Sequence, residues 1–206
     1  MKIKSAIDVF DSWAQLGKDK GMEKGHAASV DRMFEILEDD FSNHKINSAL
    51  DLGCGNGWLL RKINLKFPNI TRVGIDGSMN MINKAKAIDP EAKYECLDIN
   101  DWTPNRKFDL IMSMEVMYYL KNPIEIIDTI INKALNDNGI LIVGIDHYKE
   151  NKNSLSWPND LKVAMSTLSI DQWVKIYKNC GLSNIYSTQY AVDNDLSGTL
   201  IIAGDK

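Results

Sequence analysis

The sequence predicts an α/β fold in which a mostly parallel sheet is covered by helices on both faces. From residue 48 onward, short apolar runs alternate with amphipathic stretches, the pattern of successive strand–helix–strand units. Residues 140–145 are apolar except for Gly144, as expected of a strand buried on both faces. A glycine-rich turn at 53–57 follows one apolar run and precedes an amphipathic stretch, which places a strand-to-helix connection there.

The first forty residues are predicted to be helical. Apolar side chains recur at helical spacing at Ile3, Ile7, Phe10, Trp13 and Ala14. Gly17, Gly21 and Gly25 mark a charged loop, and a second amphipathic helix is predicted for residues 25–41.

Seven strands and four helices are expected after this region. The strands are predicted at 48–52, 72–75, 93–97, 108–112, 140–145, 184–191 and 199–203. One helix covers 58–67 and ends before Pro68, and another runs to residue 88 from an N-cap at Ser78. Asn122 and Pro123 start a helix that contains Ile131 and Leu135 and is ended by Gly139. The last helix, 170–180, has capping-box residues at Ser169 and Gln172.

Composition excludes several classes of protein. The chain has 206 residues, 44% of them hydrophobic and 25% charged, which argues against a disordered or fibrous protein. The net charge is −4 and only four of the 24 basic residues are Arg, which argues against a nucleic-acid-binding surface. The three cysteines have no metal-binding spacing and favour a reducing compartment. The same spacing leads us to expect no bound metal. No secretory leader or membrane-length apolar run is visible, so we expect a cytoplasmic protein.

The turn at 53–57 is the strongest functional signal. It reads Asp51-Leu52-Gly53-Cys54-Gly55-Asn56-Gly57, with the helix starting directly afterwards. Glycines allow a ligand to approach the backbone, and the free N–H groups of a helix N-terminus attract a carboxylate or a phosphate. The spacing G-x-G-x-G differs from the G-x-G-x-x-G of dinucleotide-binding folds, and no Gly-Lys-Ser/Thr phosphate loop is present.

In this motif the sequence resembles the class I S-adenosylmethionine (SAM)-dependent methyltransferases, in particular the small-molecule, type 11/12-like group. The resemblance covers about residues 30–206. It implies SAM as cofactor, S-adenosylhomocysteine (SAH) as product and a Rossmann-like, seven-stranded sheet whose last strand is antiparallel. We expect residues 1–45 to form a helical lid, residues 46–206 the methyltransferase domain, and residues 147–168 an insertion that caps the acceptor.

Three later motifs follow in the order that the family requires. Asp76 ends the second strand, where a carboxylate can accept hydrogen bonds from both ribose hydroxyls. The resemblance implies that Met81, Asp98 and Ile99 contact the adenine, and that residues after the fourth strand lie beside the methionine portion. The implied cofactor-binding residues are Asp51, Gly53, Cys54, Gly55, Gly57, Asp76, Gly77, Met81, Asp98, Ile99, Ser113 and Met114.

The acceptor side gives weaker signals. The fourth motif lacks the Pro-Pro-aromatic sequence of amino-directed nucleic-acid methyltransferases and the Pro-Cys of cytosine C5 enzymes, which favours a small-molecule acceptor. His147 follows the fifth strand and is a candidate base, because an unperturbed imidazole titrates near pH ~6.5. Candidate substrate-binding residues are Trp13, His26, Tyr118, Tyr119 and Tyr148.

Three alternatives remain open at this stage. A non-catalytic SAM-binding module would bind SAM without transferring the methyl group. An RNA- or protein-directed methyltransferase would act on a macromolecule, and salt-dependent RNA binding would indicate the first. A nucleotide-dependent oxidoreductase would bind NADH, although the glycine spacing argues against it.

Overall fold

The computed structural model describes residues 3–192 and 197–206, and in them seven strands form one sheet with helices on both faces. The strands are β1 (Ser48–Leu52), β2 (Thr71–Asp76), β3 (Lys93–Cys96), β4 (Phe108–Met114), β5 (Leu135–Ile145), β6 (Ser183–Tyr190) and β7 (Thr199–Asp205). The helices are α1 (Ala6–Gln15), α2 (Lys20–Asp40), α3 (Trp58–Lys66), α4 (Met79–Ile88), α5 (Pro123–Thr129), α6 (Trp157–Leu161) and α7 (Ile170–Asn179).

The strand order β3-β2-β1-β4-β5-β7-β6 confirms the predicted fold class. β1 to β5 are parallel, and β7 is antiparallel to both of its neighbours. The order reverses between β1 and β4, so their carboxyl ends border the crevice in which open α/β sheets bind ligands. The ends of β1, β2 and β4 therefore position the candidate site.

The core consists of two layers, one on each face of the sheet. Ala49 and Leu50 are neighbours on β1 and are fully buried in opposite layers, because successive side chains of a strand point to opposite faces. One layer includes Trp173 of α7, and the other includes Leu60 of α3. None of the helices in the described residues is long and apolar enough to cross a membrane.

The N-terminal helices begin at other residues than predicted: α1 begins later and α2 begins earlier. α1 begins at Ala6 with Ser5 as its N-cap, so Ile3 precedes the helix. α2 begins at Lys20, five residues before the predicted start at Gly25. From Val30 onward α2 packs into the core layer that also contains α3, so only α1 and the first turns of α2 reach the edge of the sheet.

The prediction of a regular helix up to Leu135 is wrong. α5 ends at Thr129, and a π-helical turn, Ile130–Ala134, leads directly into β5. Leu135 pairs with Phe108 of β4 instead of completing the helix. Asn136 donates a hydrogen bond from Nδ2 to Oδ1 of Asp109 at 2.7 Å, which holds this irregular start of the strand against β4. Gly139 accordingly lies within β5 and ends no helix.

The predicted helix starts after Ser78, Asn122 and Ser169 are confirmed. Each of these side chains accepts a hydrogen bond from a backbone N–H in the first turn of its helix. The Ser169–Gln172 pair forms the complete capping box. Ser78 fixes the start of α4 beside the end of β2, because its N–H also donates to Oδ1 of Asp76.

Candidate active site

A cavity of about 630 Å³ opens at the carboxyl edge of the sheet. Its floor consists of the ends of β1, β2 and β4. α1 lies on one side, and the segment 157–164, which includes α6, lies on another. Most of the wall is apolar or aromatic, and the cavity carries a few polar groups at defined places.

The glycine turn after β1 brings the backbone to the cavity. Gly53, Gly55 and Gly57 all have positive φ angles, at 74°, 52° and 79°. The N–H groups of Gly53 and Cys54 donate to the carbonyl of Ile75 at 2.8 and 3.0 Å, which ties the turn to β2. A Cβ atom at Gly53 would overlap the side chain of Val116, so the close approach of the two loops requires glycine there.

Asp76 stands at the end of β2 with its carboxylate already oriented. Oδ2 accepts from the N–H of Gly55 at 2.9 Å, and Oδ1 accepts from the N–H of Ser78 at 2.7 Å. Burial raises the pKa of Asp76, and these two donors oppose that increase. Each carboxylate oxygen has a second lone pair. The group therefore fits a ligand with two neighbouring hydroxyls, as the ribose of SAM has.

Asp51 lies beneath the turn and does not line the cavity. It is buried, and burial together with the charge of Asp76 raises its pKa to about 8. Among the described residues, its Oδ2 atom has no hydrogen-bond partner. Asp51 can act on a ligand only through the turn above it.

The structure brings most of the cofactor residues implied by the resemblance to one cavity. Those that line it are Gly53, Gly55, Asp76, Gly77, Met81, Asp98, Ile99 and Met114. Cys54 is buried, Gly57 is the N-cap of α3, and Ser113 donates from Oγ to the carbonyl of Leu52 at 2.8 Å. These three shape the turn and join β1 to β4, so the cavity wall does not include them.

α1 is fastened to the start of α4 by Asp11. Its Oδ1 accepts from Ser78 Oγ at 2.7 Å and from the N–H of Asn80 at 3.1 Å, and its Oδ2 accepts from Asn80 Nδ2 at 2.7 Å. These hydrogen bonds lower the pKa of Asp11, and the hydrogen bond from Ser78 has the largest effect. Ile7 packs directly over Gly77, where any larger residue would collide with it. α1 thus covers the part of the cavity next to Asp76.

Asp11→Ala is expected to release α1 from α4. Losing three hydrogen bonds to a charged acceptor removes roughly 2 kcal/mol of local stability, so amide hydrogen exchange in α1 should rise about 30-fold. The matched control is Asp8→Ala, because Asp8 lies exposed on the same helix and its carboxylate makes no hydrogen bond within the described residues. Equal exchange in the two variants would contradict the role given to Asp11.

On the acceptor side, four of the predicted residues line the cavity: Trp13, His26, Tyr118 and Tyr119. The rings of Tyr118 and Tyr119 lie 4.4 Å apart between centroids. Phe10 joins them by an edge-to-face contact of 5.4 Å with Tyr119. Phe10 and Trp157 also line this wall. Trp157 lies in the segment 147–168 that was expected to cap the acceptor, whereas Phe10 was not among the candidate substrate-binding residues. Phe10 shares the helical stripe of Trp13, which was the available signal.

The expectations for His147 and Tyr148 need correction. His147 is buried outside the cavity, with Nδ1 3.0 Å from the carbonyl of Ser154 and Nε2 2.8 Å from Thr167 Oγ1. Burial lowers its pKa, and neither nitrogen faces the cavity lining. Tyr148 is also buried and donates from its hydroxyl to the carbonyls of Ser197 and Gly198. Both side chains anchor loops, which leaves neither placed to contact an acceptor.

Glu115 is the first residue of the loop after β4 and joins this loop to the end of β5. It has a positive φ of 62°, and its Oε1 accepts from the N–H of Asp146 at 2.6 Å. Its Oε2 accepts from the hydroxyl of Tyr118 at 2.7 Å. Burial, and then the charge of Asp146, raises the pKa of Glu115 well above its ordinary value. Asp146 in turn lies 3.6 Å from Nδ1 of His26.

Similarity to known proteins identifies the family to which this chain belongs. A family model for a methyltransferase domain matches residues 19–187. The chain belongs to the class I SAM-dependent methyltransferases. SAM is therefore the cofactor to which the cavity must be fitted, and membership of this family removes the oxidoreductase alternative.

The relatives of this methyltransferase differ in the acceptors that their names state. Trans-aconitate 2-methyltransferase of Escherichia coli is 32% identical over 98 residues, covering 48% of this chain and 38% of that enzyme. tRNA U34 carboxymethyltransferase of Tolumonas auensis is 28% identical over 161 residues, covering 73% and 48%. The matches thus span less than half the length of either relative.

Solved structures share the fold across nearly the whole methyltransferase. A chain from the complex of the Trm112 methyltransferase activator with a methyltransferase of Haloferax volcanii has a TM-score of 0.76 and 23% identity, covering 99% of both chains. The N-methyltransferase NodS of Bradyrhizobium japonicum, crystallised with SAH, has a TM-score of 0.64 and 21% identity, covering 85% and 86%.

Proposed function

We propose that this protein transfers the methyl group of SAM to a small acceptor with a largely apolar or aromatic body. The observation that carries the proposal is the cavity itself. Aromatic side chains of α1, the loop after β4 and α6 stand around the same space that Asp76 and the glycine turn enter. Such walls suit a molecule that is enclosed, since burial of apolar surface supplies most of the binding energy of small ligands.

The residues at the strand ends fit the parts of SAM. Asp76 offers its lone pairs to the ribose hydroxyls, while Met81, Asp98 and Ile99 provide an apolar surface and an acceptor for adenine. When bound, SAM supplies an electrophilic methyl group on a sulfonium sulfur. The work of the chain is to align an acceptor atom with that methyl group and to exclude water from the cavity.

The cavity does not favour a polycarboxylate acceptor such as trans-aconitate. Recognition of several carboxylates usually uses Arg, whose planar group binds a carboxylate through two parallel hydrogen bonds. None of the four Arg residues lines the cavity, whose basic side chains are the point charges of Lys4 and Lys121, and Arg72 and Arg106 are paired with Asp89 and Glu95 elsewhere. The acceptor of the E. coli relative is therefore not carried over to this protein.

An RNA-directed activity is the second candidate, and the relative that acts on tRNA favours it. One experiment distinguishes the two. The purified protein is incubated with methyl-labelled SAM and a cell extract separated into small molecules, RNA and protein. Because unreacted SAM is itself a labelled small molecule, the small-molecule fraction is resolved by chromatography. We expect a labelled compound distinct from SAM in that fraction, and none with Asp76→Ala. Label in RNA that is released by ribonuclease, or label in protein, would contradict the proposal, as would SAH binding without transfer to any fraction.

A further inference from the structure

Three polar side chains from three separate elements meet at one wall of the cavity, which His26 and Glu115 line and Asp146 does not. His26 comes from α2, Glu115 from the loop after β4 and Asp146 from the first position after β5. One ligand atom of each lies within 4.8 Å of the others. His26 and Glu115 line the cavity, and Nδ1 of His26 is 3.6 Å from Oδ2 of Asp146. We call these three residues the acidic cluster.

The carboxyl groups of the acidic cluster have no cationic partner among the described residues, and a cation bound there would oppose the burial and the charge of Asp146 that raise the pKa of Glu115. No Lys or Arg forms an ion pair with Glu115 or Asp146 in the described parts of the chain. Burial lowers the pKa of His26, so its ring is neutral near pH 7 and does not supply the missing charge. Oδ1 of Asp146 is buried and has no hydrogen-bond partner among these residues. An unpaired buried carboxylate oxygen is costly, and a cation or a hydrogen-bond donor removes that cost.

We propose that the acidic cluster binds the amino group of the acceptor, so that the substrate is a protonated amine on an apolar or aromatic body. This inference rests on the proposed function. An ammonium group has three N–H donors and can bind the carboxylate of Glu115 on the cavity wall, while Asp146, with a ligand atom within 4.8 Å of that of Glu115, adds its charge from outside the lining. The aromatic walls of the same cavity add attraction, because a cation is drawn to the face of Trp or Tyr rings.

The neutral ring of His26 gives the acidic cluster a second role. An ammonium nitrogen has no lone pair and cannot accept a methyl group. When one of its protons moves to the ring nitrogen of His26 that does not face Asp146, the electrons of that N–H bond remain on nitrogen as a lone pair. That lone pair forms the new N–C bond while the bond between the methyl carbon and the sulfur of SAM breaks, its electron pair remaining on the sulfur of SAH. The proton stays on His26, whose imidazolium is stabilised by Asp146.

Binding measurements with matched probes test the inference without requiring turnover. In the presence of saturating SAH at pH 7, calorimetry compares 2-phenylethylamine, 2-phenylethanol and 3-phenylpropanoate, which share one ring and differ in charge. We expect the amine to bind about tenfold or more tightly than the alcohol, and the propanoate to bind most weakly. Asp146→Asn should reduce the preference for the amine to within about threefold.

Asp160→Asn is the matched control, because Asp160 is a carboxylate on the same cavity but outside the acidic cluster. This variant should keep the preference for the amine. Glu115→Gln provides a second test, should Asp146→Asn lower the melting temperature.

Equal binding of the three probes, or none detected while SAH still binds, would overturn the inference and leave the proposed function intact. One-to-one binding of Mn²⁺ that Asp146→Asn abolishes, without a preference for the amine, would assign the cluster to a metal and overturn it too. Failure of SAH itself to bind would contradict the proposed function.

Discussion

Asp76→Ala is expected to lower the affinity for SAH about a hundredfold while the protein remains folded. Two hydrogen bonds from ribose hydroxyls to a carboxylate contribute roughly 1.5 kcal/mol each, and 1.4 kcal/mol corresponds to a factor of ten. The substitution also removes the acceptor for the N–H groups of Gly55 and Ser78, which hold the glycine turn against β2 and the start of α4. Calorimetric titration with SAH measures the loss directly.

Two variants sharpen this experiment. Asp101→Ala removes an exposed carboxylate three residues after Asp98, and its affinity for SAH should stay within about twofold of the parent protein. Asp76→Asn keeps the shape of the side chain, but its NH₂ group must face one of the two N–H donors that now point at oxygen. We therefore expect a loss close to that of Asp76→Ala. An affinity within threefold of the parent protein in both Asp76 variants would rule out Asp76 as the ribose acceptor.

The sheet could be predicted from the sequence because its signals are local. A strand buried on both faces must be apolar throughout, and residues 140–145 are apolar except for Gly144, which lies in β5. The glycine turn is equally local, since positive φ angles at 53, 55 and 57 demand the residues that the sequence has there. The parallel order of the strands follows from their alternation with helices. The π-helical turn before Leu135 could not be predicted, because Leu135 continues the apolar spacing of the helix. Only its pairing with Phe108 of β4, a tertiary contact, places Leu135 in a strand.

The acceptor side could be predicted less well, for a geometric reason. The sequence places Asp146, His147 and Tyr148 together after β5, but it does not state which of them faces the cavity. In the structure Asp146 faces His26 and Glu115, while the next two side chains are turned away into loop contacts. His26 is separated from Asp146 by 120 positions, so their contact forms only when α2 packs against the assembled sheet. No pattern along the chain carries that information.

Gly57→Ala is expected to destabilise the protein by about 2–5 kcal/mol. Gly57 has a φ of 79°, a conformation that costs a residue with a Cβ atom roughly 1–2 kcal/mol. Its Cβ atom would also lie 2.9 Å from Cζ of Tyr94 and closer still to the Tyr94 hydroxyl. Tyr94 is only 4% exposed, and overpacking in such a core adds about 1–3 kcal/mol. For a chain of this size, the melting temperature should fall by roughly 4–20 °C.

Gly25→Ala separates this result from the general effect of replacing a glycine. Gly25 is exposed within α2, and a Cβ atom there would meet no atom within 4 Å. Alanine is the better helix former, so this variant should gain about 0.5–1 kcal/mol. A stability of Gly57→Ala equal to that of the parent protein would show that the turn can move away from Tyr94, and it would contradict both penalties assigned to Gly57.

The two penalties at Gly57 can be separated because one comes from φ and the other from Tyr94. Asn tolerates positive φ better than Ala, yet it also carries a Cβ atom, so Gly57→Asn should retain chiefly the collision. Tyr94→Phe removes the hydroxyl that the new Cβ would meet first, so Gly57→Ala should cost less in that background than in the parent protein. Strict additivity of the two substitutions would exclude the Tyr94 hydroxyl as the source of the collision. The loss would then come from contact with the ring atoms of Tyr94 and from the left-handed backbone that the turn imposes on Gly57.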